Sequence, residues 1–214
     1  MRSKYPDRRA AGQALAARLG HCAHVPGALV LALPRGGVPV GHEVARELGL
    51  PLDVFIVRKL GVPGHEELAM GAIASGGVRV LNRQVIDDLG LPEAAIEAVT
   101  AAELAELQRR ERLYRAQRPP LDLLGRTVIL VDDGLATGST MRAAVAAVRE
   151  QGAARVIVAV PVAPPDTCDT LARQADEVIC PLRPHNFEAV GHWYEDFAQT
   201  TDDEVSALLA SAGS

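Results

Sequence analysis

Asp132 and Asp133 stand side by side after an unbroken apolar run in VILVDDGLATGST, residues 128–140. A glycine follows, then a cluster of small and hydroxylated residues. A helix that opens at such a cluster offers unsatisfied N–H groups and partial positive charge, which suits a phosphate. Small residues let the backbone approach the anion, and Thr137, Ser139 and Thr140 add hydroxyl donors. Ala136 and Gly138 complete the phosphate-binding candidates. Two carboxylates beside a phosphate repel it unless something lies between them. A ribose fits: its 2′- and 3′-hydroxyls donate to Asp132 and Asp133 while its 5′-phosphate rests on the helix terminus. A magnesium ion on the same hydroxyls needs negative charge nearby. The segment is not a Walker loop, since no lysine follows Gly138. Nor is it a dinucleotide fingerprint, since Gly134 and Gly138 are four apart. The plain alternative is an Asx-turn and a helix N-cap. An apolar strand, two acids and TGST in succession point instead to ribose 5-phosphate.

These residues need a scaffold. Residues 7–20 read as a helix with Asp7 as N-cap and Ala14, Leu15 and Leu19 on one side. ALVLAL (28–33) is short and wholly apolar, as in a strand buried on both faces. VPVGHEVARELG reads as a helix ending at Gly49, and DVFIVRKL (53–60) as a second buried strand. Residues 61–77 are rich in glycine and lack helical period; they read as a long mobile excursion, open to a β-hairpin with VRVL (78–81) as its return strand. Pro92 suits the first position of a long helix through about Gln117. TVILV (127–131) is a third strand, followed by a helix with Met141, Ala144, Val145 and Val148 at helical spacing. RVIVAVPV (155–162), a helix over PDTCDTLARQA, and EVICPL (177–182) complete the alternation. The expected fold is α/β, with a mostly parallel, doubly wound sheet of about five strands. Ligands of such sheets bind at the carboxyl ends of strands, where Asp132 and Asp133 fall.

Composition narrows the classes. The 214 residues carry a net charge of −5, and 48% are hydrophobic, but only 3% are aromatic, so aliphatic side chains must build the core. An acidic balance speaks against a nucleic-acid partner. Cys22, Cys168 and Cys180 form no CxxC pair, so buried or free thiols in a reducing compartment are expected rather than disulfides or zinc. The opening MRSKYPDRRAAG lacks an apolar core for a signal peptide, and no run approaches the roughly 20 residues that span a bilayer. A cytoplasmic protein without membrane partners is the expectation.

VILVDDGLATGST resembles the phosphoribosyl diphosphate signature of type I phosphoribosyltransferases. LPRGGVP (33–39) resembles that family's diphosphate loop, and VRKLGVPGHEELAMGAIA lies where its flexible catalytic loop stands. Together they look most like a bacterial group of phosphoribosyltransferases named only provisionally, with no acceptor assigned. The resemblance implies one domain over 1–214, with a core at about 26–182, a flexible loop at about 61–81 and a hood from about 1–25 and 183–214. It also implies a place in nucleotide metabolism and transfer of 5-phosphoribosyl from phosphoribosyl diphosphate to a nitrogen nucleophile, with Mg²⁺ as cofactor. The metal is held mainly by substrate, with Asp132 and Asp133 the candidate protein contacts.

Roles follow from the same resemblance. Gly36 and Gly37 can turn N–H groups toward a diphosphate, with Arg35 adding charge; alone, PRGG is also a plain turn. Arg58 and Lys59 would neutralise the leaving diphosphate, although a solvated basic pair is the bland alternative. Arg35, Lys59, His65 and Glu66 are the catalytic candidates. His65 could stabilise diphosphate or shuttle a proton; His65, Glu66 and Glu67 could equally form a solvated loop tip. PHNFEAVGHWYEDF (184–197) resembles the acceptor hood, with Phe187, Trp193 and Tyr194 as its aromatics and Phe197 at its end; a small satellite core is the alternative. His185 and His192 read as core or surface histidines. Arg109, Arg112, Arg115 and Arg118 make no clean helical stripe and read as a solvated face.

The pattern departs from the 6-oxopurine enzymes: Ala136 stands where they carry an acid, and no lysine follows Lys59. No glutaminase-like N-terminal cysteine is present. The acceptor and oligomeric state stay open, a homodimer included. So do two other readings: a regulator that senses phosphoribosyl diphosphate or a nucleotide while binding nucleic acid, and a hydrolase or phosphorylase of ribosyl phosphates.

Overall fold

The structure is a computed structural model that describes residues 4–116 and 118–212, with the side chain of Glu67 outside the description. In chain order the elements are α1 (Arg8–Ala16), β1 (Leu29–Ala32), α2 (Gly37–Leu48), β2 (Leu52–Val54), β3 (Val57–Val62), β4 (His65–Ala74), β5 (Val78–Leu81), α3 (Arg83–Leu89), α4 (Glu93–Arg115), β6 (Thr127–Val131), α5 (Ser139–Glu150), β7 (Arg155–Ala159), α6 (Pro165–Leu171), β8 (Glu177–Ile179) and α7 (Asp202–Ser211). Five strands form one parallel sheet in the order β2-β1-β6-β7-β8. The remaining three, β3-β4-β5, form a separate antiparallel sheet.

Strand alternation explains why the central strands have no polar face. Val30, Ala32, Ile129, Val131 and Ile157 point into a core shared with Leu15, Val44 and Leu48. Leu29, Leu31, Val128, Leu130, Val156 and Val158 point to the opposite core, against Met141, Val145, Val148 and Leu171. Helices therefore cover both faces, as the unbroken apolar runs require. Asp7 caps α1 by accepting from the Ala10 N–H at 2.7 Å, and Gly49 (φ 64°) ends α2.

Several expectations shift. The strand expected at 53–60 is two strands. Phe55 still bonds to Ala32 of the parallel sheet, but Ile56 already pairs with Ser75, and β3 leaves to join the hairpin. Buried apolar residues run on through Val54, Phe55 and Ile56 without a break, so hydrophobicity does not mark the change of partner. The excursion at 61–77 is a hairpin with 78–81 as return strand, yet part of it is packed: Met70, Ile73 and Ala74 are buried, while residues 63–66 at the tip, Leu68 and the turn at 76–77 are exposed. Pro92 is the N-cap of α4 rather than its first residue, and Gln117, the expected helix end, lies outside the described residues. Ala14 is exposed; Ala11, Leu15 and Ala16 are the buried face of α1. The basic helix is only partly a solvated face. Arg115 grips Asp53 with two hydrogen bonds of 3.0 and 3.1 Å, and Arg118 donates to Leu52 and Leu209 carbonyls, so these two tie α4 to the edge strand β2. The helices α3 and α7 were not expected. Among the described residues no helix is long and apolar enough to cross a membrane.

Candidate active site

The carboxyl edge of β6 delivers Asp132 and Asp133 directly after Val131. Asp132 folds back so that its Oδ1 accepts the Asp133 N–H at 2.9 Å. Burial, and then the negative charge of Asp133, push the Asp132 carboxyl well above the usual carboxylate range. Burial raises Asp133 as well, and Arg8 pulls it back. The pair is thus under electrostatic tension, and cations or hydroxyl donors relieve it.

The next turn runs from Leu135 to the start of α5. Gly138 caps α5 with φ 69°, a conformation that costs glycine little, and a Cβ there would meet Thr167 Cγ2 at 2.7 Å. Thr167 also donates to the Ala136 carbonyl at 2.8 Å, and Arg142 to the Thr137 carbonyl at 2.9 Å. Ala136, Thr137, Ser139 and Thr140 are exposed, with the hydroxyls of Thr137 and Ser139 3.3 Å apart. The expected phosphate loop is therefore an open helix N-terminus braced from behind by α6.

PRGG turns β1 into α2, with the Pro34–Arg35 peptide bond cis. Its glycines lie directly on the acidic pair. A Cβ on Gly36 would overlap the Asp133 carboxylate, and one on Gly37 would come within 2.8 Å of the Val131 carbonyl. The Leu33 N–H donates to that same carbonyl at 2.8 Å. Two loops distant in the chain thus close on each other. Arg35 stands beside them, 3.8 Å from Asp202 of α7, which also accepts from the Tyr114 hydroxyl.

Arg58 and Lys59 separate, because neighbours on a strand face opposite ways. Arg58 turns to α4 and pairs with Glu103 at 2.7 Å. Lys59 lines a cavity of about 730 Å³ between the hairpin sheet and α5, together with Ser139, Thr140 and Arg142. Of the two, only Lys59 shares a space with the phosphate loop. His65 and Glu66 sit exposed at the hairpin tip, as in the solvated-tip alternative, and do not line that cavity; the Glu67 side chain lies outside the described residues.

The aromatic run forms a satellite core, the alternative left open for it. Trp193 and Tyr194 are buried with Ala11 and Val162, and Phe187 packs against them half-buried. Tyr194 nevertheless reaches the site, donating its hydroxyl to the Asp133 carbonyl at 2.5 Å. His185 is exposed, and His192 pairs with Glu188 on the surface. Cys22, Cys168 and Cys180 are free and buried. Cys168 and Cys180 share one core, where Cys180 Sγ donates to the Leu182 carbonyl at 3.1 Å and the neighbouring thiols hold Cys168 below and Cys180 above the ordinary thiol range.

One residue escaped the sequence reading entirely. Arg8, in the first turn of α1, places its Nε 2.8 Å from Asp133 Oδ2, with both side chains largely buried. No periodicity links positions 125 apart. Among the described residues no cluster of three or more His, Cys, Asp or Glu is placed to hold a metal. Asp132 and Asp133 fit Mg²⁺ as hard oxygen ligands of excess negative charge, but they are too few to hold it without oxygens from a substrate.

Residues 26–196 match the family model of the phosphoribosyl transferase domain. A relative from Mycobacterium tuberculosis, named provisionally as a phosphoribosyl transferase, is 50% identical over 208 residues, 97% of this chain and 47% of that protein. The chain spans about half the length of the curated relatives it matches. The crystal structure of TT1426 from Thermus thermophilus aligns with a TM-score of 0.88 at 43% identity, covering 97% of this chain and 98% of that one. A purine phosphoribosyltransferase from Pyrococcus horikoshii shares the fold at a TM-score of 0.50 and 19% identity, covering 94% and 99%.

Proposed function

This chain belongs to the phosphoribosyl transferase domain family, and we propose from that premise that it transfers 5-phosphoribosyl from phosphoribosyl diphosphate to a nitrogen nucleophile, releasing diphosphate with Mg²⁺ as cofactor. One observation carries the reading: the acidic pair at the end of β6 is clasped between the open N-terminus of α5 and the glycines of the turn into α2. That arrangement supplies a phosphate seat, a diol seat and a second backbone anion seat in one continuous edge.

In this reading the N–H groups and hydroxyls of residues 137–140 hold the 5′-phosphate, and Asp132 and Asp133 accept the ribose hydroxyls. The loop at Arg35, Gly36 and Gly37 receives the diphosphate. Cleavage of the C1–O bond passes through an oxocarbenium-like state, so charge gathers on the departing diphosphate, where Lys59 and Arg35 assist most. Asp132 and Asp133, together with substrate oxygens, would hold Mg²⁺, which would supply countercharge to the leaving group. The hairpin 61–81 serves as the loop that excludes water over the sugar, and residues 1–25 and 183–214 serve as the hood around a core at 26–182. Tyr194 is the hood aromatic nearest the ribose seat; Phe187 and Trp193 hold the hood together.

The test is thermal unfolding with phosphoribosyl diphosphate and Mg²⁺, followed by a turnover screen over nitrogen bases. At a ligand concentration about 100 times Kd, stabilisation of roughly 2.7 kcal/mol is expected. The Asp132→Asn, Asp133→Asn double variant should fold and lose it. An unchanged ligand shift in that variant removes the ribose assignment, and product formed without any base turns the reading toward hydrolysis.

A further inference from the structure

Resting on that reading, we infer that Arg8 is the positioning residue of the ribose seat: it takes one oxygen of Asp133 so that the other is presented, charged, to a sugar hydroxyl. The geometry is specific. Arg8 Nε donates to Asp133 Oδ2 at 2.8 Å, and its NH1 donates to the Ala198 carbonyl at 2.6 Å. The guanidinium lies 3.9 Å from the centre of the Phe197 ring, which packs against Tyr194 at 5.0 Å. Tyr194 in turn holds the Asp133 carbonyl. Asp133 is thus gripped twice, at its side chain by the N-terminal helix and at its backbone by Tyr194 of the satellite core.

Gly36 makes room for this contact. A Cβ there would overlap Asp133 Oδ2 and come within 3.3 Å of Arg8 Nε. The ion pair therefore lies in the crevice between the two anion-binding turns. Its side chains are only 13% and 14% exposed, so water screens it little. Without Arg8, two largely buried carboxylates stand side by side, with the Asp133 N–H the hydrogen-bond donor that holds Asp132. An arginine fork rather than a lysine suits the task, because one planar group must bond a carboxylate and a carbonyl while stacking on a ring. Arg8 packs beside Gly36, but its side-chain hydrogen bonds go to Asp133 and the Ala198 carbonyl and none to residues 137–140.

The experiment is calorimetric binding of phosphoribosyl diphosphate with Mg²⁺, with inorganic phosphate as a probe of the α5 seat. Wild type, Arg8→Ala, Arg8→Lys, Asp133→Asn and the Arg8→Ala, Asp133→Asn pair are compared, with circular dichroism to verify folding. Arg8→Ala should weaken phosphoribosyl diphosphate by roughly ten- to a hundredfold, the span of a charge-assisted hydrogen bond, and leave phosphate binding unchanged. Arg8→Lys should recover part of the loss and serves in place of Arg8→Ala if that variant does not fold. In the Asp133→Asn background the Arg8 substitution should cost nothing further. Wild-type affinity in a folded Arg8→Ala or Arg8→Lys, or equal Arg8 losses in both backgrounds, overturns the inference while leaving the proposed function standing. A wild-type protein that ignores phosphoribosyl diphosphate but binds phosphate overturns the function itself, and the inference with it.

Discussion

Two buried carboxylates with raised pKa values are a cost that the fold carries at neutral pH. A carboxyl whose folded pKa is raised contributes stability that is fully present below its unfolded value near 3.9 and is lost as pH rises through the folded value. Asp132, pushed up by burial and by Asp133, is such a group. Asp132→Asn should therefore raise the midpoint of thermal unfolding at pH 7, and its advantage should shrink as pH falls toward 4. Unfolding scans of both proteins across that range decide it; a midpoint lowered at pH 7 means the charge is already compensated. Lys59 calls for the opposite kind of substitution. If it neutralises the departing diphosphate, Lys59→Ala should lower kcat for diphosphate release by ~10²–10³ and barely change binding of ribose 5-phosphate, since its contribution grows with charge in the transition state. Wild-type turnover in that variant removes the role. The acidic pair and its loop were legible in sequence because they are contiguous and their chemistry is local. Lys59 was legible as a catalytic candidate and, with Arg58, as a diphosphate contact; strand alternation separates the two, which no composition marks. Arg8 was invisible, because its partner is chosen by the packing of α1 and not by any spacing.

At the level of elements, the sheet could be read from sequence where burial is two-sided. β1, β6 and β7 are uniformly apolar because helices cover both faces, so each run announces itself. The reading failed where one run with no break in its buried apolar residues changes partner, at the passage from β2 to β3. It also failed for α7, whose acidic first turn (Asp202, Asp203, Glu204) is helix-favourable but falls in a tail that the aromatic run overshadowed. The hairpin carries a prediction of its own. Its base is anchored by Leu60, Met70 and Ile73, while residues 63–66 project into solvent. Hydrogen exchange should find the amides of 70–74 protected in the free protein and those of 63–66 fast, with phosphoribosyl diphosphate and Mg²⁺ slowing only the second group. Fast exchange at 70–74 would mean that the whole excursion opens, and unchanged exchange at 63–66 on binding would remove the tip from any closing role.

For the molecule as a whole, residues 5–8 and 193–198 meet beside Asp133. Tyr5 bonds to the Trp193 carbonyl, Glu195 and Asp196 bond back to Tyr5 and Pro6, and Arg8 reaches Asp133 and Ala198. Among the described residues this satellite core has four buried members, Ala11, Val162, Trp193 and Tyr194, against two large cores along the central sheet. So small a cluster should open at lower free energy than the sheet it covers. Trp193 is the sole tryptophan in the sequence, so its emission reports that cluster alone. In urea, the tryptophan transition should precede the loss of far-ultraviolet circular dichroism in the free protein. With phosphoribosyl diphosphate and Mg²⁺ the two should draw together, because a ligand held by Asp133 stabilises the end of the chain that Tyr194 and Arg8 fasten to it. Coincident transitions without ligand would make the whole chain one cooperative unit, and a gap that persists at saturating ligand would uncouple the satellite core from the proposed ribose seat.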